Sequence, residues 1–116
     1  MNIYTILNND RLELKNVKVY EELTEETTAC YAEVWLNDEH IGFVRNSGQG
    51  EGNYLNFKDK ACIDKIKPFE THLMSKTFSV IYPFMSRGAV MQYDLDLLIG
   101  LMAEAAHYEH KTFFKI

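Results

Sequence analysis

The fold of this chain is decided by residues 24–54, which read TEETTACYAEVWLNDEHIGFVRNSGQGEGNY. Within this stretch, residues 27–36 predict a strand, because alternate side chains form one small or apolar face. The residues on this predicted core face are Cys30, Ala32, Val34 and Leu36. Asn37 and Asp38 both tolerate left-handed backbone angles, so they predict a tight hairpin turn. Residues 41–45 then return as the antiparallel partner strand.

A glycine-rich loop, NSGQGEG at residues 46–52, follows the hairpin and precedes a further predicted strand at residues 53–57. Leu55 and Phe57 are the inward residues of that strand. The loop lacks the lysine and hydroxyl pair of a phosphate-binding loop, and Glu51 gives it a negative charge. No strongly periodic helix begins directly after it to offer an anion its N-terminus. We therefore expect the glycines to supply positive φ angles between two strands.

Before the hairpin, residues 11–20 (RLELKNVKVY) predict a strand with an interruption. Apolar residues alternate in one register up to Leu14 and in the other register from Val17 onward. The slip at Lys15–Asn16 predicts a bulge, or a break between two short strands. The connection to the next strand is the acidic segment EELTEE, residues 21–26.

The second half of the chain is predicted to be mainly helical. Asp59 is placed to cap a short helix over residues 60–67, and Pro68 either ends that helix or starts a new turn at its first position. The predicted buried side of that helix consists of Cys62, Ile63 and Ile66. Residues 78–84 alternate and predict a strand, which Pro83 restricts to an edge or an end.

The most strongly patterned element is a predicted helix over residues 95–110, capped by Asp94. Its apolar stripe consists of Leu95, Leu98, Ile99, Met102, Ala105 and Ala106. Arg87-Gly88 predicts a turn before this helix. The C-terminal residues TFFKI would add a short strand or cover an open end of the sheet.

Together these elements predict one α+β domain spanning residues 1–116. We expect an antiparallel sheet of about four strands, with the C-terminal helix and a shorter helix packed on one face. No apolar run approaches the roughly 20 residues needed to cross a bilayer, so we expect no membrane partner. The N-terminus, MNIYTILNNDR, lacks the features of a secretory signal, which predicts a cytoplasmic protein with reduced cysteines.

The formal net charge is −5, and it is unevenly distributed. Residues 1–57 carry ten acidic and four basic side chains, a balance of −6, whereas residues 58–116 carry seven acidic and eight basic side chains, a balance of +1. The acidic first half argues against direct binding of nucleic acid, because it would repel phosphates. It suits a basic partner protein, including one that itself binds nucleic acid, although acidity also serves solubility.

The chain offers little for catalysis or for metal binding. Glu104, His107 and His110 lie three residues apart, and this spacing drifts around a helix too far for all three to bind one ion. Neighbours in this set, Glu104 with His107 or His107 with His110, would form half of a metal site, but no second cluster supplies the other ligands. Cys30 with His72 or His107 would form a nucleophile and base, but Cys30 lies on the predicted core face. Cys62 likewise lies on a predicted buried side. We therefore expect no enzyme activity, no metal and no cofactor.

A partner-binding surface is predicted around the best strand. Tyr31, Glu33 and Trp35 lie on its outward side, and Tyr and Trp are enriched where interfaces bind most strongly. The acidic segment just before the strand adds Glu21, Glu22, Glu25 and Glu26. The competing interpretation is a sheet covered on both faces, with these aromatic residues packed beneath a helix or the tail.

The same stretch resembles a loose group of small phage and prophage accessory proteins. The residues that carry the resemblance are Glu25-Glu26-Thr27, Tyr31-Ala32-Glu33, Gly42, Asn46, Gly48-x-Gly50 and Asn53-Tyr54. This chain departs from the pattern with Asn37-Asp38 where Asn-Gly is usual, and with Gln-Gly-Glu-Gly where a double glycine is usual. The resemblance covers residues 24–54, about a quarter of the chain.

The resemblance implies a mobile-element accessory protein that acts in bacterial cytoplasm. Small acidic phage proteins of this kind often bind and block a host defence component, such as a CRISPR effector nuclease. We therefore expect a protein that inhibits a host protein by occlusion. The alternatives are a binder of a nucleotide signal through the glycine-rich loop with Arg45 or Arg87, and a structural phage protein. Two copies of the chain could also pair through an exposed edge strand to form a homodimer.

Overall fold

The computed structural model describes residues 1–80 and 89–116 of the chain. The elements in chain order are β1 (Ile3–Leu7), β2 (Asp10–Val19), a single 3₁₀ turn (Glu21–Leu23), β3 (Cys30–Leu36), β4 (Glu39–Asn46), β5 (Tyr54–Phe57), α1 (Lys60–Met74), β6 (Thr77–Val80), β7 (Ala89–Gln92) and α2 (Leu95–Tyr108). Strands β1 to β5 form one antiparallel sheet in sequence order, and β6 and β7 pair separately. The predicted α+β class is confirmed, with five strands in the main sheet rather than about four.

The sequence analysis missed two strands, β7 and, in the main sheet, β1. The inward residues of β1 are Ile3, Thr5 and Leu7, and all three are buried. The alternation is hidden in the sequence, because an inward position is polar (Thr5) and an outward one is apolar (Ile6). Asn8 and Asn9 join β1 to β2 with φ angles of 50° and 67°. This is the same turn chemistry as at Asn37-Asp38.

The predicted slip in the second strand is a bulge. The register of β2 against β3 shifts between Lys15 and Lys18, and Asn16 has a φ of 54°. The backbone N–H of Asn16 donates to the Asn2 side chain at 3.0 Å, so the interrupted ladder is partly compensated. The shift lets Leu14 and Val17, which have opposite parity in sequence, both lie in the core.

The predicted hairpin of β3 and β4 is confirmed. Asn37 and Asp38 form its turn with φ angles of 49° and 64°. The predicted inward residues of β3 are all buried, namely Cys30, Ala32, Val34 and Leu36. Leu55 and Phe57 of β5 are partly buried and pack against the same core.

Both helices pack on the inward face of the sheet, and both predicted N-caps are present. The Asp59 side chain accepts from Cys62 N at 2.9 Å, and the Asp94 side chain accepts from Leu97 N at 2.7 Å. The predicted apolar stripe of α2 is buried along its length and packs mainly on β2 and β1.

The predicted end of the first helix at Pro68 is wrong, because α1 runs through Pro68 to Met74. The apolar spacing continues beyond the proline. Phe69 and Leu73 are fully buried, so their packing outweighs the backbone hydrogen bond that Pro68 cannot make. Ile63, which was predicted to be buried, is 41% exposed, since it lies about 100° around the helix from Cys62.

The last helix is shorter than predicted, and the tail returns to the sheet. Helix α2 ends at Tyr108, and His110 has a left-handed φ of 56°. The tail then pairs with the outer edge of β1: Tyr4 N donates to Thr112 O at 3.0 Å and Phe114 N donates to Tyr4 O at 2.9 Å. The tail therefore protects one edge of the sheet.

Part of the predicted strand over residues 78–84 corresponds to β6. Residues 81–88, with Pro83 and the predicted Arg87-Gly88 turn, lie outside the described residues. Neither described helix is both long and apolar enough to span a membrane.

Thr5 provides a test of this core. Its hydroxyl is buried with no hydrogen-bond partner, and its neighbours are apolar. Thr5→Val should raise the free energy of unfolding by about 1 kcal/mol, because a nearly isosteric methyl group removes an unsatisfied polar atom. Thr27→Val is the matched control, since the Thr27 hydroxyl is hydrogen-bonded to Asn46, and it should lower that free energy by about 1 kcal/mol. Urea titration measures both, and a loss of stability in Thr5→Val would contradict the assignment.

Candidate functional site

The polar side chain at the end of β4, Asn46, connects three segments that meet at one end of the sheet. Its Oδ1 accepts from the Thr27 hydroxyl and from Gly48 N, both at 2.8 Å. Its Nδ2 donates to Asn53 Oδ1 at 3.0 Å. Asn46 pairs with Cys30 in the ladder, so it lies on the helix side of the sheet. It thereby links the start of β3, the glycine-rich loop and the start of β5.

The network continues from Asn53 into the last helix. Asn53 N donates to Asp96 Oδ1 at 2.7 Å, and Asn53 Nδ2 donates to Asp96 O at 2.8 Å. Asp96 lies in the first turn of α2, where a carboxylate also interacts favourably with the helix dipole. The glycine-rich loop is therefore attached to the beginning of α2.

The acidic segment is attached to the same loop through the carbonyl oxygen of Gly48. This oxygen accepts from the backbone N–H groups of Glu25, Glu26 and Thr27, at 3.0, 2.9 and 3.3 Å. Gly48 is buried with a φ of +85°, and a Cβ there would collide with the Leu23 carbonyl. The expectation that the loop needs positive φ angles is confirmed at Gly48 and at Gly50, whose φ is +87°.

A cleft of about 250 Å³ lies between this loop and α2. Four carboxylate side chains line it: Glu26, Glu51, Asp96 and Glu104. Among the residues that the structure describes, no group of three His, Cys, Asp or Glu side chains is arranged to hold a metal ion. The concentration of carboxylates makes the cleft unfavourable for a nucleotide phosphate.

The four glutamates predicted as partner-binding residues lie beside this cleft. All four, Glu21, Glu22, Glu25 and Glu26, are exposed. Glu21 contacts His107 of α2 at 3.0 Å, whereas Glu22, Glu25 and Glu26 form no ion pair with a described residue. We call these four residues, together with Glu51, Asp96 and Glu104, the acidic edge.

The predicted aromatic residues lie elsewhere, on the face of the sheet opposite the helices. Tyr31, Glu33 and Trp35 alternate with the buried residues of β3 and are half-buried. We call this surface the open face. Glu33 accepts from Asn16 Nδ2 at 2.5 Å and from Trp35 Nε1 at 3.2 Å, and these hydrogen bonds, first that from Asn16, lower the pKa of Glu33.

The open face is more aromatic and more basic than the sequence analysis expected. The strand register places further rings beside those of β3, namely Tyr4, His40, Phe43 and Tyr54. Trp35 stacks on His40 with ring centroids 5.1 Å apart, and Tyr31 lies 6.0 Å from Phe43. The same register adds the cations Arg11, Lys15, Lys18 and Arg45.

The predicted acidic and aromatic residues therefore belong to two surfaces rather than to one patch. Glu21 reaches α2 on the helix side, whereas the Trp35 ring faces the other side of the sheet. The sequence analysis missed Asn46, Asp96 and the cleft as parts of a site. The sequence feature that could have indicated this site is the spacing of Asn and Gly residues around the loop. That spacing predicts turns, but it does not predict which helix the loop contacts.

The residues considered for catalysis each have a different role. Glu104 accepts from the Thr28 hydroxyl at 2.7 Å, His107 contacts Glu21, and His110 lies beyond the end of α2. His72 contacts Asn8 at 2.8 Å. None of these contacts brings a histidine to Cys30.

Comparison of the chain with protein-family models, with curated proteins and with solved structures gives no match. The resemblance to phage accessory proteins therefore stays a prediction. The residues that carry it include Thr27, Asn46, Gly48 and Asn53, which form the network at the loop. The hydrogen-bond network thus explains why these residues occur together, whether or not the protein comes from a phage.

Cys30 should react slowly, because burial, and secondarily the charge of Glu104, raises its pKa to about 11 from the ordinary 9.0. At pH 8 its thiolate fraction is then roughly 100-fold smaller than that of an ordinary thiol. Iodoacetamide labelling followed by peptide mass mapping should show at least that retardation in the folded protein. The same protein in guanidinium is the control, and labelling as fast as in guanidinium would contradict the assignment.

Proposed function

We propose that this protein is a non-enzymatic binding protein that covers a basic surface of a host protein. The contact surface is the acidic edge. The partner that binds this surface is a protein with exposed lysine and arginine side chains, as nucleic-acid-binding effectors have. In the setting that the phage resemblance implies, the target is a defence nuclease in bacterial cytoplasm, for example a CRISPR effector, and binding blocks its nucleic-acid site.

The observation that supports the proposal is how the acidic edge is held. Neutral groups fix it: backbone amides on the Gly48 carbonyl, and the Asn46 and Asn53 side chains. Within the described residues, Glu22, Glu25 and Glu26 gain no cationic partner from this arrangement. Like charges held close together raise the energy of the folded state. A basic partner would relieve that repulsion.

The hydrogen bonds that hold the acidic segment also favour binding. The backbone of the acidic segment is already ordered by its three bonds to one carbonyl oxygen. A partner therefore does not bear the entropic cost of ordering a loop, which is one of the main costs of association. Charge complementarity at such a surface raises the association rate, especially at low ionic strength.

The nucleotide-binding alternative gains no support from the geometry, since the cleft beside the glycine-rich loop is lined with carboxylates. Arg45, which that alternative needed near the loop, lines a second pocket with Ser47 and Glu51 of the loop. Its guanidinium lies 4.8 Å from the Tyr54 ring centroid, and Glu51 again contributes a carboxylate.

Affinity capture with matched charge variants tests the proposal. The test variant is Glu22→Gln/Glu25→Gln/Glu26→Gln. The control is Asp38→Asn/Asp64→Asn/Glu109→Gln, which removes the same charge from exposed residues outside the acidic edge. Tagged wild type and control should retain one stoichiometric protein from nuclease-treated bacterial lysate, and the test variant should lose it. The nuclease treatment removes partners bridged by nucleic acid.

The predicted interaction should also weaken strongly between 50 and 300 mM salt, because exposed charges carry it. Identification of the retained protein by mass spectrometry would name the target. Equal retention by all three proteins, or the absence of any stoichiometric partner, would reject the acidic edge as the contact surface.

A further inference from the structure

We propose that the open face binds single-stranded nucleic acid, with bases stacked on its aromatic rings and phosphates on its cations. This surface lies across the sheet from the cleft of the acidic edge and adjoins that edge where Arg45 and Tyr54 share a pocket with Glu51. The proposal does not rest on the function proposed above. It concerns a second ligand of a different chemical class.

The fold separates the charges of the first half of the chain. All four basic residues of positions 1–57 lie on the open face, namely Arg11, Lys15, Lys18 and Arg45. Glu13 and Glu33 are the acidic side chains that the strand register places among them. The other acids of that half lie at the hairpin ends of the strands, namely Asp10, Asp38 and Glu39, and in the acidic edge. The net charge of −6 for residues 1–57, from which the sequence analysis argued against direct nucleic-acid binding, therefore does not describe this face.

Part of the positive charge on the open face has no counterion. Glu13 lies 3.6 Å from Arg11 and 4.0 Å from Lys15, so it partly neutralises these two. Glu33 is engaged by neutral donors, Asn16 and Trp35. Lys18 and Arg45 are exposed and form no ion pair with any described residue. An anionic chain crossing the strands at Tyr31 would meet both.

Two rings of this face each carry a cation and lie beside a second ring, Trp35 beside His40 and Tyr4 beside Phe113. Lys15 Nζ lies 3.8 Å from the Trp35 ring centroid and the Arg11 guanidinium lies 3.9 Å from the Tyr4 ring centroid. An exposed cation–π contact is weaker than the stacking of a base on an aromatic ring. A bound base would therefore displace the flexible cation from the ring, and the released cation would be free to pair with the adjacent phosphate.

The mixture of rings and cations favours nucleic acid over an acidic protein. An acidic protein surface would satisfy the charges but would leave the rings without flat partners. A single strand supplies both, because it alternates flat bases with negative phosphates. Tyr54 is 53% exposed, and Tyr31 and Trp35 lie four residues apart on one strand, so several bases have room to stack. The helices behind the sheet hold these strands in place.

Trp35 makes the test direct, because it is the only tryptophan in the chain. Titration with a 20-nucleotide oligo-dT should quench its fluorescence, and the anisotropy of the labelled oligonucleotide should rise in parallel. With three or four phosphates neutralised, binding should weaken roughly 20- to 50-fold between 50 and 200 mM salt. Lys18→Ala/Arg45→Ala should weaken binding by about tenfold or more at 50 mM salt.

The matched control is Lys60→Ala/Lys67→Ala, which removes two exposed cations of α1, on the other side of the sheet, and should bind as the wild type does. Thermal unfolding of each variant checks that it folds. The fluorescence titration uses wild-type protein, so its result does not depend on how the variants fold. Absence of both quenching and an anisotropy change at 50 mM salt would overturn the proposal. Equal losses in the two double variants would also overturn it. Equal binding and quenching by polyglutamate would overturn it in favour of an acidic protein partner.

Discussion

The hydrogen bonds of Asn46 are the constraint on which the candidate binding site of this molecule depends. A single amide group accepts from Thr27 and Gly48 and donates to Asn53. Asn53 in turn holds the first turn of α2. No charged side chain could make all of these contacts, because the group must both donate and accept. The loop, the acidic segment and the last helix thus have fixed relative positions.

The sheet separates two surfaces, because successive side chains of each strand point to opposite faces. The hydrogen-bond network of Asn46 lies on the helix side of the sheet, where four carboxylates of the acidic edge line a cleft. The open face carries the rings and cations on the other side. A protein with net charge −5 therefore carries an acidic and a basic surface a few residues apart in sequence. We propose a different ligand for each surface.

Much of the fold followed from local sequence rules. Alternation predicted β3, turn chemistry predicted the hairpin at Asn37-Asp38, and acidic caps predicted where both helices begin. The errors arose where tertiary packing outweighs a local preference. Pro68 lies inside α1 because Phe69 and Leu73 are buried beyond it. The polar core residue Thr5 concealed β1.

The candidate site was less predictable than the fold. The sequence identified Glu21, Glu22, Glu25 and Glu26 as one group and Tyr31 and Trp35 as another, but it placed them together because they are neighbours in the chain. The direction in which the segment leaves β2 separates them, and alternation within strands contains no information about that direction. Charge summed over a segment likewise concealed the basic open face, since the sum does not record which side of a strand each residue occupies.

Hydrogen exchange tests the role of Asn46 most directly. The account predicts that the amides of Glu25, Glu26 and Thr27 are protected in the wild type, because all three donate to the Gly48 carbonyl. In Asn46→Ala these amides should lose protection, whereas amides shared by β2 and β3 should keep theirs. Asn56→Ala, at an exposed position of β5, is the control and should leave the protection of all these amides unchanged. Protection of the three amides in Asn46→Ala equal to that in the wild type would contradict the account.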